Sequence, residues 1–100
     1  MFIACDNLKN ITFEEGTTKI TNGLFANNDS IEKVVIPNTV TSIENDAFYK
    51  CSKLKVVSFS DSLLSIGRNA FSYDKLIEKA EIPDTVTAIR EGAFLGCSNL

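Results

Sequence analysis

The chain has 100 residues, 44% hydrophobic and 23% charged, with a formal charge of -3 and neither histidine nor tryptophan. That is the composition of one folded domain rather than of a disordered segment. The acidic balance leaves no basic field for nucleic acid, the missing histidine removes the commonest general base and metal ligand, and no apolar run reaches the ~20 residues of a membrane-spanning helix.

The opening residues, Met1 to Asp6, lack both the basic start and the apolar stretch of a signal peptide. They enter partway through a unit that then recurs along the chain. Phe2, Phe25, Phe48, Phe71 and Phe94 are spaced by 23 residues, and Leu8, Ile31, Leu54, Ile77 and Leu100 keep the same step. So do Ile20, Ile43, Ile66 and Ile89. Such a fixed period is the signature of a repeat architecture. It divides a single domain, residues 1–100, into repeats at about 8–30, 31–53, 54–76 and 77–99, which read as a stretch of a longer array.

Each unit begins with a β-rich segment whose apolar residues alternate. Ile11 with Phe13, Val34 with Ile36, Val57 with Phe59 and Ala80 with Ile82 are expected to point inward. Pro37 and Pro83 end two of these segments, because proline cannot donate to a ladder. A second extended piece follows, residues 40–43 in the second unit. Residues 46–51 then predict a single short helical or 3₁₀ turn. One coil cannot bury enough apolar surface to stand alone, so stability belongs to the stack.

The repeated pattern, Leu-x-x-Val-x-Ile-Pro-x-Thr-Val-Thr-x-Ile-x-x-x-Ala-Phe-x-x-Cys-x-x-Leu, resembles the BspA-like (Treponema pallidum type) leucine-rich repeat. Residues 31–54 and 77–100 carry it best. The resemblance implies an α/β-type right-handed curved solenoid, made mostly of short parallel β-strands with short helical or 3₁₀ turns, in about four 23-residue repeats. It also implies a cell-surface or secreted protein whose role is adhesion to host or matrix proteins. The chain departs from the pattern at Glu14 and Ser60, which replace the proline, and at Asn28 and Asp74, which replace the cysteine; Gly67 alone keeps the glycine after the isoleucine.

Cys5, Cys51 and Cys97 share one column, each two repeats from the next. With strands stacked ~4.8 Å apart, neighbouring cysteines fall ~10 Å apart, beyond disulfide reach. They read as small buried hydrophobes, and no cofactor or metal set accompanies them. Of two glycosylation sequons, Asn10 reads as accessible and Asn28 as turned inward to the turn backbone.

Three outward rows are expected on the first strand. Lys9, Glu32, Lys55 and Glu78 alternate in sign and read as a self-compensating ladder. The rows Asn10, Lys33, Val56, Lys79 and Thr12, Val35, Ser58, Glu81 hold a small apolar spot, Val35 and Val56, with lysines around it. The candidate partner-binding set is therefore Val35, Val56, Lys33, Lys79, Thr12, Ser58 and Glu81. A non-catalytic binding or adhesion module for a protein partner is the leading expectation. A structural spacer that self-associates through uncapped ends is the alternative. An enzyme is not expected, since no nucleophile and base are paired.

Overall fold

The computed structural model describes residues 2–6, 9–14, 16–78 and 80–99, the first five by their backbone. Among the described residues eight short strands form: β1 (Phe2–Asp6), β2 (Asn10–Phe13), β3 (Lys19–Ile20), β4 (Lys33–Val35), β5 (Ser42–Ile43), β6 (Val56–Ser58), β7 (Ser65–Ile66) and β8 (Ala88–Ile89). They lie in two sheets, ordered β1-β2-β4-β6 and β3-β5-β7-β8. In the first, Asn10, Lys33 and Val56 sit side by side in parallel, as do Ile11, Val34 and Val57. In the second, Ile20, Ile43, Ile66 and Ile89 form one continuous row. Every one of these pairings joins residues 23 apart, so the sequence period is the strand register.

The third side of each coil carries the phenylalanines. Phe25, Phe48, Phe71 and Phe94 stack with ring centroids 5.5, 5.2 and 5.3 Å apart and planes within 18° of parallel. Phe48 and Phe71 are fully buried, beside Ile31, Leu54 and Ile77 from the neighbouring column. An isolated coil would leave both faces of each ring wet, which ties the solenoid's stability to contact between units.

This side is not a helical turn. Leu24, Ala26 and Asn28 donate their N–H groups back three residues within the unit, while Gly23, Phe25 and Asn27, lying between them, donate to the carbonyls of Asn45, Ala47 and Tyr49 in the next unit. The same alternation joins Asp46, Phe48 and Lys50 to Arg68, Ala70 and Ser72, and Asn69, Phe71 and Tyr73 to Glu91, Ala93 and Leu95. Two left-handed columns allow it: Gly23, Asp46, Asn69 and Gly92, and Asn27, Lys50, Tyr73 and Gly96, all with φ between 55° and 74°. A residue with positive φ turns alternate N–H groups along the stacking axis, which a right-handed helix cannot do. The hook is thus a third ladder.

Two other expectations are corrected. The first residues do not begin a parallel coil: β1 runs antiparallel to β2, with Phe2 opposite Phe13 and Asp6 opposite Asn10, and the Phe2 side chain lies outside the described residues. Position 4 aligns with Asn27, Lys50, Tyr73 and Gly96, all left-handed in the hook, whereas the backbone of Phe2–Asp6 is a strand. The outer edge of β2 is therefore paired, not uncapped. Residues 80–82 likewise do not extend the first sheet, although β8 continues the second. Ala80 stands where Val34 and Val57 anchor β4 and β6, and it offers less side chain to hold a strand against the core. At the far end Ile89 is exposed and Phe94 is half-buried, as no described unit lies beyond them.

Candidate functional site

Alternation along β4 and β6 sends Val34 and Val57 into the core and leaves Lys33, Val35, Val56 and Ser58 outside. Lys33 lies directly beside Val56, and Val35 beside Ser58. The two valines are therefore diagonal neighbours on this face. They are 42% and 48% exposed, the only large hydrophobics of the first sheet so open among the described residues. Thr12 projects from β2 on the same side of the alternation. Of the seven candidates the structure brings five onto this face. Lys79 lies outside the described residues, and Glu81 belongs to the segment that leaves the sheet.

That departure opens a slot of about 660 Å³ along the free side of β6. Val57, Phe59 and Ile82 supply its apolar lining, and Asp61, Glu78, Glu81 and Asp84 its acidic one, with Lys55 the one cation among the lining residues. Val56 and Ser58 also line it, so the slot and the exposed face are continuous. Nothing in the 23-residue period announced this cavity. Its signal was the small residue at position 80 in an otherwise β-branched column.

The charge row is weaker than its signs suggest. Lys9 and Glu32 approach to 3.8 Å with both side chains about half exposed, a geometry worth little in water. No further ion pair forms along it among the described residues.

A second cluster, which the sequence reading did not find, sits on the hook side. The Tyr49 and Tyr73 rings meet edge to face at 6.2 Å, and the Lys50 ammonium lies 5.4 and 5.9 Å from their centroids. Lys50 and Tyr73 both occupy the left-handed column at φ 55° and 63°, where glycine or asparagine would be less strained. The Tyr73 ring covers Gly96, leaving no room there for a Cβ. Packing of one hook on the next accounts for Tyr73 without a ligand.

The described cysteines are held by the hook backbone. The Cys51 thiol donates to the Phe25 carbonyl at 3.3 Å and the Cys97 thiol to that of Phe71 at 3.0 Å. Burial pushes both thiols up, and the neighbouring Asp74 carboxylate raises them further. Both are free; the Cys5 side chain lies outside the described residues. Asn28 turns inward as expected, its Oδ1 accepting the N–H groups of Ser30 and Ile31 at 2.8 and 2.9 Å, whereas Asn10 is exposed. Asp74 accepts the Cys51 N–H at 2.7 Å. Among the described residues no group of three metal-ligating side chains forms, and no helix is long and apolar enough to cross a membrane.

Comparison with known proteins agrees with this geometry. Residues 1–100 match the family described as BspA type Leucine rich repeat region (6 copies). A solved structure titled as that of the T. pallidum Leucine Rich Repeat protein, TpLRR, superposes with a TM-score of 0.64 at 19% identity, covering 100% of this chain and 65% of that one. At that identity the likeness speaks for the fold. The chain spans about two thirds of the length of that structure. No curated protein matches.

Proposed function

Given that the chain belongs to the BspA-type leucine-rich repeat family, we propose that it is a non-catalytic adhesion module that binds a protein partner through the outer face of β4 and β6. Leucine-rich repeat proteins of this kind serve protein interaction. The observation that supports a site here is the exposed pair Val35 and Val56 on the in-register face of β4 and β6. Apolar side chains set in a polar surround are what a contact with another protein uses. The family resemblance supports a host or matrix protein as the partner and a cell-surface or secreted setting as part of this reading.

The test is surface plasmon resonance of the chain against a panel of purified matrix proteins, with V35E/V56E as the variant. Both valines are exposed, so the substitution leaves the far-UV spectrum and Tm almost unchanged. Loss of the binding signal supports the reading. A panel that binds both proteins equally, or neither, turns the choice towards a structural spacer whose sheet face has no ligand.

A further inference from the structure

The fourth unit is docked on two sides of its coil and open on the third. Its hook accepts the N–H groups of Asn69, Phe71 and Tyr73, and β8 pairs in register with β7. On the first side two hydrogen bonds join it to its neighbour among the described residues. The Glu78 N–H reaches the Lys55 carbonyl at 3.4 Å, and the Thr85 hydroxyl reaches the Leu63 carbonyl at 2.7 Å. Between these points no ladder bond joins residues 80–84 to β6 or Phe59. General fraying would have loosened all three sides together, so the gap is a local feature of the segment that carries Ala80.

The gap leaves an edge with unused hydrogen-bonding capacity. Along a strand successive N–H groups point to opposite sides. Val56 donates towards β4, to the Glu32 carbonyl, and Val57 and Phe59 therefore present theirs to the slot. A free strand edge above an apolar floor is the arrangement that captures extended peptides, the backbone supplying affinity and alternate side chains specificity. Charge sets the rest. Among the described residues, four carboxylates, from Asp61, Glu78, Glu81 and Asp84, and one Lys55 ammonium line the slot. None of the four lies within ion-pair distance of a cation among the described residues.

We propose that the slot beside β6 takes a short extended peptide carrying lysine or arginine, its backbone pairing with Val57 and Phe59 and its cations meeting Glu78 and Glu81. The inference rests on the protein-binding reading above and gives that partner a chemistry: a basic strand, with apolar residues alternating towards Phe59 and Ile82.

The test uses a capped peptide of alternating lysine and valine, with one of alternating glutamate and valine as control. In the free chain the Val57 and Phe59 amides exchange at least about tenfold faster than those of Val34 and Ile36, which are paired. The lysine peptide slows both, and the glutamate peptide does not. E78Q/E81Q leaves the spectrum unchanged and weakens the lysine peptide about tenfold. A80V restores the anchoring side chain, closes the ladder, protects both amides without peptide and abolishes binding. Equal protection of all four amides in the free chain overturns the proposal, and so does equal binding of the two peptides. V35E separates this inference from the broader one, since Val35 does not line the slot. If V35E abolishes matrix-protein binding while A80V leaves it intact, the sheet face is the site and the slot is not.

Discussion

Replacing Asp74 by asparagine flattens the pH dependence of this protein's stability. Asp74 is fully buried in the cysteine column. Its Oδ1 accepts the Cys51 N–H, while its Oδ2 has no partner. In the equivalent positions the thiols of Cys51 and Cys97 donate to carbonyls 26 residues earlier. By that offset a protonated Asp74 would donate to Phe48, so the neutral acid copies the cysteine it replaces. Burial raises its pKa from 3.8 to about 8, partly offset by the Cys51 N–H. The folded state then holds the proton more tightly than the unfolded state does. The resulting stabilisation is complete below about pH 4, the unfolded value, and disappears as pH rises through about 8. At ~1.4 kcal/mol per pH unit, the rise corresponds to on the order of 5 kcal/mol. Urea titrations of the wild type and D74N at pH 5 and pH 9 measure it. The wild type loses several kcal/mol across that interval and D74N much less, other carboxylates contributing equally to both. Parallel profiles, or a wild type that gains stability with pH, would refute the assignment.

Four further outcomes follow. Phe48→Ala removes a ring stacked on both faces and fully buried, and urea unfolding should show a loss of about 3–5 kcal/mol, more than Phe94→Ala at its half-buried position. Gly67→Ala places a Cβ 2.6 Å from the Asn45 nitrogen and the Glu44 carbonyl carbon; backbone must shift to admit it, and a loss of about 1–3 kcal/mol should appear as a lower Tm. In a C5S background a thiol reagent labels Cys97 before Cys51, whose labelling waits for unfolding, since Cys51 is fully buried and Cys97 partly open. Gly96→Ala drives a Cβ into the Tyr73 ring at a residue with φ 74°, so it destabilises more than an exposed alanine substitution, read by the same urea titration.

The period was legible because parallel stacking makes it a physical necessity. A column of Val34 and Val57 buries only if the units repeat in length, so register, core and the outward face of Lys33, Val35, Val56 and Ser58 could all be read from spacing. The hook could not. Its conformation depends on positive φ, and the columns that signal it mix glycine, asparagine and aspartate with Lys50 and Tyr73, whose presence there no propensity favours. Reading columns for Gly, Asn and Asp together would have exposed the pattern, since Gly23, Asp46, Asn69 and Gly92 recur at the same step. The charge row was over-read for a related reason. Opposite signs in register do not oblige long side chains to meet, and only Lys9 with Glu32 does so among the described residues.

What separates this chain from a uniform array is the set of positions where a column breaks, and each break acts in its own way. At residues 2–6 the hook is not formed, and the chain there pairs antiparallel with β2 and closes its edge. Asp74 replaces a thiol and puts a buried carboxyl in a packing column. Ala80 withholds a β-branched anchor, and the sheet opens beside β6 while the other two ladders hold. The repeats supply a scaffold stiff enough that a change of one side chain stays local instead of unravelling a coil. A uniform solenoid would offer a partner the same surface at every unit. Here the broken column at Ala80 lies next to Val56 and Ser58, so the feature that distinguishes one unit from the rest adjoins the face proposed to bind.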